Sequence, residues 1–298
     1  MAIEKPIFCL PVDLGTIATG NERTETPAVH LNHHESIGLV WRTNGNSNMW
    51  ARGQFTASQA LSMCSLISAN AQAGTTIRLR LGTSQAEVDG GSAPYDSGAV
   101  AFISPAETND IGLYSSFQQF DEIEATWWRI DIGNHTGDFE AASLILGKAV
   151  QSSRFYDRGW ELGTSDLGSI DISRWGVDLE TDGIILNTVS FKLSWVSEAE
   201  FISSFRPIML RAKRKPVWLL FNPEAVAGRQ AHFYFGRFGQ APFAQSVRKP
   251  GTFAMEFSIQ SVLPIGTSTS IVAPSLGGDM DFSDPDASGL LTLILEDE

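Results

Sequence analysis

Trp127-Trp128-Arg129-Ile130-Asp131-Ile132 alternates apolar and polar side chains once past its paired tryptophans. A period of two marks a strand with one face buried and the other wet. Trp127 and Trp128 must then point to opposite faces, one into a core and one partly exposed. Thr76-Ile77-Arg78-Leu79-Arg80-Leu81 alternates in the same way and puts both arginines on one face. Upstream, Ile37 to Arg42 and Met49 to Phe55 flank Thr43-Asn44-Gly45-Asn46-Ser47-Asn48, whose turn chemistry predicts strand, loop, strand. Ala142 to Gly147 is short, apolar and ends in glycine. Short strands divided by Gly, Ser and Asn turns predict a jelly-roll β-sandwich over residues 35–150. Residues 61–73 admit two readings, a helix face (Leu61, Cys64, Ile67) or a bulged strand. The serines and Asn70 disfavour helix, so the strand is preferred.

The second half opens with a hinge-like stretch, Gln151 to Asp171, holding Phe155, Tyr156, Trp160 and three glycines. Ile184 to Trp195 is the longest strand signal, with Val189, Phe191, Leu193 and Trp195 on one face. Ser197-Glu198-Ala199-Glu200 reads as a capping box opening a helix. Phe201, Phe205 and Ile208 or Met209 would form its buried stripe, and Pro207 limits or kinks it. Pro216–Phe221, Ala231–Gly236 and Phe253–Ile259 add strands. Residues 151–265 therefore read as an antiparallel, β-rich α+β module with one helix. Residues 1–34 are either an arm or a strand of that module. Residues 266–298 are acidic, with no Lys or Arg after Lys249, and close on the apolar run Leu290 to Leu295. Such a run seeks a sheet edge, in its own chain or in a neighbouring subunit.

Composition narrows the functions. The chain has 298 residues, a net charge of −13 and 43% hydrophobic residues. Disorder is a poor reading at that apolar content. The acidic balance argues against nucleic-acid and anionic-membrane partners. No apolar run approaches the roughly 18 residues of a membrane span, and Met1 to Pro6 lacks the pattern of a secretory signal. Cys9 and Cys64 sit in apolar surroundings and read as buried thiols, with a disulfide between them as the alternative.

Several residue groups are candidates for chemistry. His30, His33 and His34 are spaced H-x-x-H-H rather than H-E-x-x-H, and Pro27 and Asn32 favour a solvated turn over a metal site. Asp279 and Asp281 open an acidic stretch that fails the calcium-loop template, with Asp284 at its sixth position and Leu290 at its twelfth. No G-x-S-x-G, Walker A or G-x-G-x-x-G occurs, so neither catalysis nor a cofactor is expected. Arg206, Arg211, Lys213, Arg214 and Lys215 form the basic cluster. It is either a subunit contact, together with Leu291, Leu293 and Leu295, or a solvated helix end. Tyr95, Asp96, Trp127, Trp128 and Arg129 are candidates for contact with a glycan or a partner, since exposed rings beside polar groups suit sugars. Packed cores are the alternative use of such rings.

Thr126 to Asn134, followed by Gly137-Asp138-Phe139-Glu140-Ala141-Ala142 and on to Gly147, resembles a run in distal-tail and minor tail proteins of long-tailed bacteriophages. There it closes a galactose-binding-like β-sandwich. Thr76 to Arg80 and Tyr95 to Gly98 look like strands of the same domain. Thr188 to Phe221 with His232 to Phe235 resembles the sheet-plus-helix module of tail-tip and baseplate proteins. The resemblance covers about residues 35–265 and rests on strand residues. It implies a structural virion protein, assembled in the host cytoplasm as a ring of identical subunits, commonly six. The ring would join the tail tube to the hub of the tip, with the sandwich projecting outward. The alternative is an adhesin-like protein that binds host-surface carbohydrate. A fold by itself does not license sugar binding.

Overall fold

The computed structural model describes residues 5–264, apart from 105–106, 108–111, 173, 177, 182–184, 212–213, 225–227, 241 and 247–249. Its strands run, in chain order, β1 Ile7–Cys9, β2 Thr16–Thr19, β3 Trp41–Arg42, β4 Trp50–Ile67, β5 Thr76–Gly82, β6 Tyr95–Asp96 and β7 Val100–Ala101. Next come β8 Gln118–Gly133, β9 Glu140–Ala141, β10 Ser143–Gly147, β11 Ala149–Gln151, β12 Glu161–Asp166, β13 Ser169–Ile172 and β14 Asp178–Thr181. The last are β15 Ile185–Ser197, β16 Val217–Leu220, β17 Phe233–Phe238, β18 Phe243–Ser246 and β19 Thr252–Pro264. The helices are α1 Gln85–Asp89, α2 Glu198–Glu200 and α3 Arg206–Arg211. The fold is mainly β, and the strand pairs of both large sheets are antiparallel.

The first sheet has the order β10-β4-β8-β5-β6, with β2 added on β4 and β7 on β5. Alternation decides its faces. Ala51, Phe55, Ile77, Leu79, Leu81, Trp128, Ile130 and Ile132 share one side. They pack under Leu31, Trp41, Phe102 and Phe139, supplied by β3, a 3-10 turn at Ala28–Asn32 and loops. The second sheet has the order β11-β1-β16-β17-β19-β15-β12, with β18 on β19. Its core is aromatic, built on Phe8, Phe191, Phe205, Phe221 and Phe257.

A third cluster joins the two sheets. Ile7, Cys9, Trp218 and Phe235 of the second sheet meet Met63, Ile67 and Ile145 of the first. This explains Leu61 to Ile67, every residue of which is buried. One face of β4 looks into the first core and the other into the second sheet, so no alternation survives. The bulge of β4 lies between Gln54 and Gln59; at Leu61 and Met63 the extra residues are on β8, and β4 pairs regularly with β10 from Met63 to Ile67. The chain crosses from sheet to sheet at Lys148, between β10 and β11. The N-terminal stretch serves both sheets, with β1 beside β16 and β2 beside β4.

Two local expectations change. Trp195 does not share the face of Val189, Phe191 and Leu193. A bulge between Leu193 and Val196 gives Trp195 a φ of 64° and leaves it 51% exposed, while Val196 takes the buried place. The helix after Ser197 is capped on one side only. Ser197 Oγ accepts from the Glu200 N–H at 3.3 Å, but the Glu200 carboxylate accepts from the Ser153 N–H and hydroxyl instead of returning to Ser197. A π turn at Phe201–Phe205 then precedes α3, which absorbs Pro207 without ending the helix. Phe205 and Ile208 are its buried residues.

Candidate functional site

The outer face of β8 and its neighbours carries a charged ladder. Arg129 pairs with Asp89 and Asp131, each at 2.7 Å. Arg80 pairs with Asp131 at 2.6 Å, Arg52 with Asp89, and Arg78 with Asp96. The guanidinium groups of Arg129 and Arg52 also lie 4.5 Å and 5.3 Å from the centre of the Trp50 ring. Hydrogen bonds from Arg78 hold the Asp96 carboxyl below its ordinary range. Burial pushes Asp89 up, but bonds from Arg129 and Gln85 outweigh it and leave the group lowered. The arginines of this face are thus answered by carboxylates: Arg80–Asp131 and Arg78–Asp96 are cross-strand pairs, Arg129–Asp131 lies along one strand, and Asp89 reaches Arg52 and Arg129 from helix α1. Of the predicted contact residues, Arg129 and Asp96 stand in the ladder and Trp127 is half-buried. Trp128 is not a contact residue: it is fully buried under Gly53 and donates its indole N–H to the Leu14 carbonyl at 3.0 Å. Tyr95 points to the other face, stacked on Phe120 at 4.3 Å.

An open aromatic surface lies elsewhere, in the hinge-like stretch after Gln151. Phe155, Tyr156, Asp157, Arg158 and Trp160 line a hollow of about 430 Å³. Phe155 is 54% exposed and Trp160 42%. The floor is built from the second core, where Tyr156 and Trp160 sit 4.8 Å and 5.4 Å from the buried Phe221 ring. The loop is held from several sides. The Asp157 N–H donates to the Lys192 carbonyl at 2.8 Å, and the Asp157 carboxylate accepts from the Ser194 hydroxyl. Glu200 grips Ser153, and Lys5 donates to the Ser153 carbonyl at 2.8 Å. Gly159, with φ of 89°, makes the turn that brings Trp160 back beside Tyr156. Partial burial pushes the Tyr156 phenol up, so it stays a neutral hydrogen-bonding group. The close spacing of Phe155, Tyr156 and Trp160 is the available sequence signal. What sequence does not give is that Lys192 and Ser194 of β15 fix this loop in one place.

The remaining candidates disperse. Arg211 is half-buried and donates to the Pro11 carbonyl at 2.9 Å, while Arg206, Arg214 and Lys215 are exposed. Lys213, Leu291, Leu293, Leu295, Asp279 and Asp281 lie outside the described residues. Of the three histidines His33 is exposed, as a solvated turn requires, and the other two are held by partners. His30 Nδ1 lies 2.8 Å from the Val40 carbonyl, and His34 is half-buried between Ser143 and Val12. Among the described residues no three His, Cys, Asp or Glu side chains converge on a common point suited to a metal. Cys9 and Cys64 are free and buried, which rules out the disulfide, and burial raises the Cys64 thiol to about 12.

No family model and no curated protein matches the chain. Solved structures with some likeness include a fucose-binding module of Streptococcus pneumoniae, at 10% identity over 47% of this chain and 95% of that one, TM-score 0.36. A chitosan-binding module of a Paenibacillus chitosanase/glucanase gives 12% identity over 45% and 96%, TM-score 0.32. A serum fucolectin of striped bass, Morone saxatilis, gives 10% identity over 84% and 97%, TM-score 0.34.

Proposed function

We propose that this chain is a carbohydrate-binding protein and that the hollow of Phe155, Tyr156 and Trp160 is its sugar-contacting surface. The observation that carries the reading is an exposed, fixed aromatic platform with Asp157 and Arg158 at its edge. A ring offers its face to the apolar C–H side of a sugar, while a carboxylate and a guanidinium at the rim orient hydroxyls. Few convergent polar groups around an apolar floor is the usual make-up of a small-molecule site. The anchors of its loop hold the platform in place before any ligand arrives, so little ordering entropy is lost on binding. The test is a glycan array followed by calorimetry on the retained glycan. Trp160→Ala is expected to weaken binding at least about tenfold, or about 1.4 kcal/mol, with the native circular dichroism spectrum retained. Retention of no glycan, or equal binding by the variant, overturns the reading.

A second reading, a subunit of a larger ring such as a phage tail tip, draws on a different observation. Leu167, Ile172 and Trp175 are spread along the β13–β14 hairpin, and Ile172 and Trp175, near its turn, are 72% and 78% exposed. Large apolar side chains presented together suit contact with another protein surface. The mass of the purified chain in solution, with imaging for a closed ring, tests it. A monomer whose mass does not change on Trp175→Ser would count against it.

A further inference from the structure

A second cavity, separate from the aromatic platform, brings together two groups that are far apart in sequence. It has a volume of about 610 Å³ and lies between residues 10–13, residues 32–36, and Arg211, Lys215 and Pro216. Arg211 and Lys215 contribute the cations, and Asp13, Asn32, His33 and Glu35 supply much of the remaining polar wall. The cations are unlike those of the ladder on the first sheet. Among the described residues neither Arg211 nor Lys215 has a carboxylate in ion-pair range, and Arg211 is held by the Pro11 carbonyl alone. A half-buried guanidinium that points one edge at a backbone carbonyl keeps other N–H donors for a ligand. Its fork suits a carboxylate in a bidentate pair.

The other wall is an acceptor wall. Asp13 is fixed, since its Oδ1 takes the Gly15 N–H and the Asn32 amide, each at 2.9 Å. Asn32 in turn accepts from the Leu14 N–H at 2.9 Å. The remaining oxygen of Asp13 and the Glu35 carboxylate can accept from hydroxyls. Among the described residues two cations share the lining with two carboxylates, so that lining is close to neutral. A doubly charged phosphate would meet repulsion from Asp13 and Glu35. A singly charged carboxylate that carries its own hydroxyls would satisfy both walls at once.

We infer that this cavity binds a sugar acid, with Arg211 and Lys215 on its carboxylate and Asp13 and Glu35 on its hydroxyls. The site is independent of the proposed aromatic platform and stands or falls without it. The probes are glucuronic and galacturonic acid, their neutral parents glucose and galactose, and inorganic phosphate, each titrated into the full chain by calorimetry and by amide and side-chain NMR shifts. At least one uronate should bind tenfold or more tightly than its neutral parent, shifting signals of Asn32 and His33 and leaving the Trp160 indole unmoved. Lys215→Ala, at an exposed position, should lose that preference, and Arg211→Gln should lose it too if the chain still folds. Equal binding of acid and neutral sugar, an unchanged preference in Lys215→Ala, or displacement of the uronate by phosphate at equal concentration would each overturn the assignment.

Discussion

The Trp218 indole N–H donates to Ser65 Oγ at 3.1 Å, from β16 of the second sheet to β4 of the first, and both residues are fully buried. It is a polar link inside an apolar seam, beside Phe117 stacked on Trp218 at 5.6 Å. Ser65→Ala would leave the indole donor without a partner. A buried unsatisfied donor costs about 1–3 kcal/mol. The expected result in urea is a lower midpoint with an unchanged slope. One transition should be seen by tryptophan fluorescence and by far-ultraviolet circular dichroism alike, because the seam ties both sheets into one unit. Two separated transitions in the parent protein would show that the seam does not couple them.

Gly53 makes the first core possible. A Cβ built there would lie 2.6 Å from the Trp128 indole. Trp128 cannot retreat, because its N–H is fixed to Leu14 and its strand is paired on both sides. Gly53→Ala should therefore destabilise by about 1–3 kcal/mol, the range for overpacked cores, despite the better β-propensity of alanine. Denaturant unfolding measures it, and a neutral effect would mean the indole can shift.

Glu107 has a fully buried side chain, ion-paired to Arg229 and bonded by the Gln230 amide. Gln230 also exchanges hydrogen bonds with the Ser115 backbone at 2.8 Å and 3.0 Å. One carboxylate thus stitches the segment before β8 to the turn before β17. Glu107→Ala leaves the Arg229 charge uncompensated, and such losses cost about 3–5 kcal/mol. Amide exchange at Ser115 should quicken in the variant. Unchanged exchange and stability would show that water replaces the carboxylate.

How much can be read from sequence follows from how many faces each strand buries. β5 and the end of β8 bury one face, so Ile77, Leu79, Ile130 and Ile132 announce themselves by alternation. β4 buries two, and Leu61 to Ile67 resembles a helix as much as a strand. Trp195 departs from its expected face because a bulge resets the period, and no residue type marks that bulge. The site is less legible than the fold. Arg129 and Asp96 look available in the sequence, but Asp96 is taken by Arg78 of the neighbouring strand and Arg129 by Asp89 of helix α1 and by Asp131 of its own strand. Phe155 and Trp160 read as hinge residues, because the loop's anchors, Lys192, Ser194 and Glu200, are remote in sequence.

His34 gives the stability a dependence on pH that the carboxylates cannot supply. Its Nδ1 lies 2.7 Å from Ser143 Oγ and its Nε2 3.3 Å from the Val12 carbonyl. Burial, with Arg211 nearby, lowers its pKa from 6.5 to about 4. The folded state therefore resists a proton that the unfolded state accepts between those values. Where the unfolded state binds more protons, stability rises with pH. The contribution is complete above pH 6.5 and is lost as the pH falls towards about 4. The loss is about 1.4 kcal/mol for each pH unit crossed, and on the order of 3 kcal/mol in all. The lowered carboxylates Asp13, Asp89 and Asp96 act in a different window, since their contribution fades only as the pH falls below the ordinary aspartate value. Unfolding free energies at pH 7, 6, 5 and 4.5 should fall steadily for the parent chain and less steeply for His34→Gln, which keeps the dependence of His232, also lowered by burial. A parent chain as stable at pH 5 as at pH 7 would mean that His34 finds a counter-charge on protonation, and Asp13, across the same cavity, is the group to replace next.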